Sequence, residues 1–205
     1  MEKAEARPAL RHDLARWTSA IIHPIVFPLL TLVVTIFYAT HSARATAVWV
    51  TVAVLLTSLP ITILVVSQVV LGHWTDLDVS VRRQRYVLYP FGLACMIALV
   101  FVFVRFGAPD IAVRASVATV LANLADGIIN FAYKVSAHAT GAALCAAFLS
   151  VVSLAWGIPA VIAALAVGWS RVELKRHTPG QVMLGWVVGL ASAYLSLHLP
   201  LPAQP

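Results

Sequence analysis

The chain alternates blocks of about twenty apolar residues with short polar junctions, and this pattern decides what it can fold into. At ~1.5 Å of rise per residue, some twenty helical residues cross a hydrocarbon layer of ~30 Å. Strands of a membrane barrel would alternate apolar and polar residues at every second position, and these blocks do not. A helix satisfies its backbone N–H and C=O groups internally, as lipid demands. Composition agrees, with 61% hydrophobic and 11% charged residues among 205, where soluble domains carry about 25% charged. The expected fold is all-α, a polytopic transmembrane helical bundle of six to seven spans.

The blocks give a polar N-terminal tail over residues 1–18, able to form an interfacial helix, then one transmembrane domain over 19–200 and a tail over 201–205. The spans read as Ile21–Tyr38, Ala47–Leu71, Val87–Phe106, Ile111–Tyr133, Thr140–Trp156, Ala160–Trp169 and Val182–Leu199. Pro60 should kink the second span, since it removes one backbone hydrogen bond. Gly157-Ile158-Pro159 reads as the hairpin turn between the fifth and sixth spans; the sixth is short unless its helix runs on towards Arg176. The first apolar block is longer than the core of a cleavable signal peptide. Cys95 and Cys145 sit in apolar blocks without metal-ligand spacing, as packing residues. Ala160, Ala164 and Gly168, and again Gly185, Gly189 and Ala193, recur every fourth residue. Each set forms a small-residue stripe that lets helices approach closely.

Polar residues inside or beside such blocks are costly and tend to be functional. Three junctions stand out: Asp76–Arg85, Lys134–His138 and Ser170–Gln181. Two spans separate each from the next, so all three return to one membrane face. Together they hold Arg82, Arg83, Arg85, Lys134, Arg171, Lys175 and Arg176, with Ser136, His138 and His177. Arginine forks suit phosphate oxygens. Two histidines can divide a phosphoryl transfer, one as nucleophile and one as general acid. Cationic neighbours favour the neutral, nucleophilic imidazole. By residue type this is an anion site with groups fit for transfer.

Lys134-Val135-Ser136-Ala137-His138 resembles the P-S-G-H motif of the type 2 phosphatidic acid phosphatases, and Ser170-Arg171-x5-His177-x3-Gln181 resembles their S-R-x5-H-x3-D motif. Asp78-x6-Arg85-Tyr86 stands where their K-x6-R-P motif belongs. The resemblance covers roughly residues 60–199. It implies that His177 attacks phosphorus to form a phosphohistidine, with His138 protonating the leaving lipid alcohol and then activating water. It also implies that Arg85, Arg171 and Ser136, with backbone amides near Ala137, hold the phosphoryl oxygens, and that neither metal nor cofactor is needed. The implied activity is a membrane phosphatase acting on a lipid phosphate or diphosphate, isoprenoid or glycerolipid. Its partners are that lipid and the bilayer, with no nucleic acid.

The departures are specific. Gln181 replaces the aspartate that orients the nucleophilic histidine; its oxygen can still accept the ring N–H but cannot stabilise a developing positive charge. Asp126 or Asp78 could supply a carboxylate instead, and a lipid phosphotransferase or an impaired lipid-phosphate binder is the alternative reading. Asp78 stands in the place of the family's lysine, and Arg82, three residues before Arg85, could replace that cation. Asp76 and Asp78 either pair with the arginines or bind a divalent ion. Lys134 either reaches phosphate or snorkels. Asp126 and Asn130 read as interhelical hydrogen-bond partners. His23, His41, His73 and His198 carry no motif and read as interfacial or packing residues.

With seven spans the tail and the three junctions share a face, which then holds all of the 14 basic residues except Arg44, Arg105 and Arg114. The positive-inside rule places that face in the cytoplasm, whereas most members of the resembled family act on the outer or lumenal side. A haem bundle would need mid-span histidines, which the sequence lacks. A transporter would need helices broken near the bilayer centre, for which only Pro60 speaks.

Overall fold

The computed structural model describes residues 2–200, with side chains from Leu10 onward; the tail assigned to residues 201–205 lies outside the described residues. The elements are α1 (Glu2–Ile21), α2 (Val26–Thr40), α3 (Ala43–Ala53), α4 (Leu59–Val70), α5 (Arg85–Arg105), α6 (Asp110–Ala132), α7 (Ala137–Val152), α8 (Leu154–Glu173) and α9 (Pro179–His198). No strand occurs among the described residues.

Five helical rods are long and apolar enough to cross a membrane: Ala43–Val70, Arg82–Arg105, Asp110–Ala132, Leu154–Glu173 and Pro179–His198. Leu10–Ile21 and Val26–Thr40 pass together as a sixth span bent by 50°. Large apolar side chains face outward along them, among them Phe101 at 66% exposed, Phe131 at 69% and Leu154 at 73%. A surface so apolar suits lipid and would not suit water. The chain is a multi-pass helical membrane protein. The polar tail is the start of α1, whose Arg11 pairs with Glu173 of α8 at 3.0 Å.

The kink expected at Pro60 takes the form of a π-helical turn over Val54–Ser58, which lies just ahead of the proline and joins α3 to α4 without a break. The five-residue register gives room where the ring would meet the preceding turn. The hairpin expected at Gly157-Ile158-Pro159 lies earlier, at Ser153 alone. Extended backbone there ends α7, and the Ser153 hydroxyl accepts the Trp156 N–H to cap α8. Gly157 makes the tight turn possible, because a Cβ there would stand 2.7 Å from the Ser150 Cα. Starting at Leu154 lengthens α8 to 20 residues and carries it to Glu173.

At 16 residues α7 is short for a span, but it is the buried centre of the bundle, packed by α2, α6, α8 and α9. Both small-residue stripes serve it. Ala160 and Ala164 of α8 share a cluster with Ala142, Cys145 and Ala146. On α9, a Cβ at Gly189 would lie 2.3 Å from the Thr140 carbonyl oxygen, and one at Gly185 would lie 2.8 Å from that of Ser136. Backbone thus meets backbone where α9 crosses the start of α7, the end that carries His138. At the opposite end of the bundle Arg114 closes α9 by donating to the carbonyls of Ser196, Leu197 and Leu199 at 2.9–3.0 Å.

Candidate functional site

The three polar junctions meet, and each is hydrogen-bonded to the other two. Arg85 donates to the Val135 carbonyl at 3.0 Å, joining the first to the second. Lys134 Nζ donates to the Arg176 carbonyl at 2.9 Å, and the Ser136 N–H to the Gln181 carbonyl at 3.3 Å, joining the second to the third. Arg171 donates to Asp78 Oδ2 and Arg176 to Ser80 Oγ, both at 3.0 Å, joining the third to the first.

Local backbone geometry fixes His177. The helix α8 ends in a turn whose Lys175 takes a left-handed conformation (φ 54°). This folds the chain back, and the N–H groups of Arg176 and His177 both donate to the Arg171 carbonyl, at 3.0 and 3.1 Å. Then Thr178 caps α9, with Pro179 at its first position and Gln181 completing a capping box. Gln181 Oε1 accepts the Thr178 N–H at 3.2 Å and lies 3.1 Å from His177 Nδ1. An atom that accepts a backbone N–H is an oxygen, so the ring proton sits on Nδ1 and the Nε2 lone pair is free. Burial, followed by the charges of Lys134, Arg85 and Arg171, pushes His177 down to about 3. The imidazole is therefore neutral around pH 7. Burial and the same arginines, with Arg176, also hold the Lys134 ammonium below its usual range.

Arg171 is 2% exposed, with its guanidinium held by Ser19 Oγ at 2.7 Å and Asp78 at 3.0 Å, while its Nε has no partner. Arg85, also buried, donates through Nε to the Val79 carbonyl at 2.8 Å. Val79 adopts a left-handed φ of 48°, rare for a β-branched residue. Strain of this kind costs ~1–3 kcal/mol and here turns a carbonyl onto Arg85. Ser136 is fully buried, its hydroxyl capping α7 by accepting from the Ala139 N–H at 3.4 Å. Arg82 donates to the Ala132 carbonyl at 3.1 Å, at the end of α6, and does not line the cavity beside His138.

The acids take other places than the one Gln181 leaves open. Asp78 binds Arg171, Asp126 accepts from Thr140 Oγ1 at 3.1 Å, and Asp76 is bonded to Ser80 and Thr75. Asn130 reaches the Arg82 carbonyl, so Asp126 and Asn130 both make the interhelical bonds their positions suggest.

His138 is 7% exposed and its Nε2 has no partner. His23, read from the sequence as an interfacial or packing residue, lies against it with ring centroids 5.3 Å apart and planes nearly perpendicular. With Asp78 the two histidines bring three ligand-type atoms within 4.8 Å of one another, which could hold a metal ion. A cation there would compete with Arg171 for Asp78. The only sequence signal for His23 was its place before Pro24 at a span's entry; Ser19 gave none. His138, Arg85 and Asp78 also line a cavity of about 330 Å3 running inward between α2, α4, α5 and α6.

No curated protein and no solved structure matches this chain. A family model, the PAP2 superfamily, matches residues 125–204. That segment runs from the end of α6 through α9 and carries Lys134–His138 and Ser170–Gln181, while Arg85 joins them from outside it through the Val135 carbonyl. Family model and junction geometry thus meet on the same residues: over residues 125–204 the chain is similar to the PAP2 superfamily, in agreement with the resemblance its motifs carry.

Proposed function

We propose that the protein hydrolyses a lipid phosphate or diphosphate through a phosphohistidine, without a metal. The observation that carries this is His177, whose Nδ1 lies 3.1 Å from Gln181 Oε1 and whose ring is buried near enough to Lys134, Arg85 and Arg171 for their charges to oppose its protonation. His177 Nε2 forms a bond to phosphorus while the bond from phosphorus to the leaving oxygen breaks, that of the lipid alcohol in a monophosphate or of the lipid monophosphate in a diphosphate. His138 gives that oxygen a proton. Water then loses a proton to His138 and attacks the phosphohistidine, releasing phosphate and restoring the ring. Positioning and charge stabilisation do most of the work in such transfers. Arg171 has an unpartnered Nε for a phosphoryl oxygen, and Arg85, Lys134 and the first amides of α7 past Ser136 add positive potential. Arg82, one turn earlier, contributes to the field.

Lipid is favoured over a soluble ester because these residues stand at the ends of spans, at headgroup depth. Basic-residue bias favours the cytoplasmic face. Gln181 favours one alternative, a phosphotransferase or an impaired binder of lipid phosphate, since an amide stabilises an imidazolium less well than a carboxylate does.

Purified protein in detergent, offered isoprenoid diphosphates, phosphatidic acid and phosphatidylglycerophosphate, tests the reading. Phosphate release that survives EDTA and disappears in His177→Ala is the expected result, with ³²P trapped on the wild-type protein in an acid-labile form. Release that persists in His177→Ala would sink it. Bound vanadate without turnover would point to the impaired binder.

A further inference from the structure

We infer that the cavity beneath His138 receives the leaving alcohol of the substrate, and that Tyr89 and Asn123 select an alcohol with a further free hydroxyl close to the phosphoester. The inference rests on the phosphatase reading and adds a substrate class to it. Its geometric basis is asymmetry. His138, Arg85 and Asp78 line the cavity, whereas His177 and Arg171 do not. In an in-line displacement the attacking and leaving atoms stand on opposite sides of phosphorus. With His177 as nucleophile, the leaving oxygen belongs on the His138 side, and the cavity is the space that continues from it.

The walls divide into two kinds. Ile61, Val65, Val66, Met96 and Leu144 are apolar and suit a hydrocarbon chain. Between α5 and α6 the wall is polar, and two of its atoms lack partners: Tyr89 Oη, in a side chain only 8% exposed, and Asn123 Oδ1. Both atoms are shut away from solvent, where an unmet polar group is costly. Asp126 and Thr119, on the same α6 face, are already paired, with Thr140 and the Ala115 carbonyl. The Asn123 amide sits over Gly92 of α5, whose absent Cβ would stand 3.2 Å from Asn123 Nδ2. The unmet groups are thus one acceptor and one hydroxyl, and a ligand hydroxyl answers both. Tyr89 is one helical turn past Arg85 and Gly92 about two, a depth of roughly 6–10 Å. That depth fits a hydroxyl a few bonds from phosphorus, as in a monoacylglycerol phosphate or a polyol phosphate. Prenyl chains and fully acylated glycerols have no such donor.

The test measures equilibrium binding of radiolabelled 1-oleoylglycerol and of its 2-deoxy counterpart, 1-oleoyl-propane-1,3-diol, to the full chain in detergent. Wild type should bind the 2-hydroxyl probe about tenfold more tightly, the scale of one well-made hydrogen bond. Asn123→Leu should shrink that gap below twofold without loss of affinity for the deoxy probe. Tyr89→Phe, which removes one oxygen and no packing volume, should narrow it in the same sense. Equal affinities in wild type, or a gap that survives both substitutions, would overturn the inference. Hydrolysis of p-nitrophenyl phosphate is followed in parallel. Hydrolysis without a binding gap removes the alcohol subsite and leaves the phosphatase; a binding gap without hydrolysis removes the phosphatase and leaves the subsite.

Discussion

The Oε1 atom of Gln181 lies 3.1 Å from His177 Nδ1 and takes the Thr178 N–H at 3.2 Å, so one amide oxygen both orients the imidazole and closes the capping box of α9. An amide does this without adding charge, which leaves His177 neutral but poorly compensated once its Nε2 is bonded to phosphorus. Glutamate at this position keeps the reach and supplies the charge. Gln181→Glu should raise the rate of phosphate release about tenfold, and should lift the His177 pKa from about 3, moving the acid limb of kcat/KM to higher pH. Gln181→Ala removes both bonds and should lower kcat by up to about 10⁴-fold, the scale seen when a catalytic histidine loses its orienting partner. It should also cost ~1 kcal/mol of stability through the lost cap. Rates across pH 4–8 in detergent check both; an unchanged acid limb in Gln181→Glu would count against the orienting role.

The depressed pKa of His177 has its own consequence for stability. The folded protein holds this ring neutral down to about pH 3, whereas the unfolded chain protonates it near pH 6.5. Between those values the unfolded state binds more protons, so the folded state loses stability as pH falls below about 6.5. The thermal midpoint of wild type in detergent should therefore drop from pH 6.5 to pH 4.5 more steeply than that of His177→Asn, which cannot titrate. Parallel curves would show that His177 is not the group responsible.

Arg171 joins the first and third junctions through Asp78, and both ends of that bond matter. Arg171→Ala leaves the Asp78 carboxylate without its cation and, on the proposed mechanism, removes a charge that holds the phosphoryl group; a loss of about 10²–10³ in kcat is the expected scale for one such donor. Asp78→Asn keeps a hydrogen-bond acceptor for Arg171 and should retain the fold while lowering kcat less. Because Asp78 is ion-paired with Arg171 at 3.0 Å, a metal ion would have to displace that guanidinium, and EDTA dialysis should leave wild-type activity within twofold. Activity lost to EDTA and restored by a divalent ion would make His23, Asp78 and His138 a metal centre.

What could be read from the sequence followed from two periodicities. Blocks of span length gave the helical bundle, and counting crossings brought Asp76–Arg85, Lys134–His138 and Ser170–Gln181 to one face, where they are hydrogen-bonded to one another. Other features depend on partners distant in the chain. Ser153 replaced Gly157-Ile158-Pro159 as the turn because Gly157 is needed for contact with Ser150, a packing demand that reads locally as a loop signal. Proline early in α8 costs one backbone bond, and hydropathy does not register it. His23 and Ser19 reach the site only because the chain bends by 50° between α1 and α2. Neither belongs to a motif, so nothing in their spacing announced them.

The closest approach to backbone at any described glycine yields the last prediction. Gly189 brings α9 so close to α7 that a Cβ would sit 2.3 Å from the Thr140 carbonyl oxygen and 3.1 Å from the Leu144 nitrogen. Both of those atoms are backbone, so no side-chain rotation can relieve the clash, and the helices must separate. Gly189→Ala should therefore destabilise the protein by ~1–3 kcal/mol, the range for overpacking a well-filled core. Gly180 provides the control, since a Cβ there would meet nothing closer than the Tyr133 hydroxyl at 3.5 Å, and Gly180→Ala should be nearly neutral in stability. Because Thr140 lies one turn into α7 and its hydroxyl is tied to Asp126, the strain in Gly189→Ala should also displace His138 from its place beside His23. Activity in that variant should fall by more than its melting curve alone explains when assayed well below the midpoint. Equal melting temperatures for the two alanine variants would show that α9 has room to move and that the glycine stripe does not position the site.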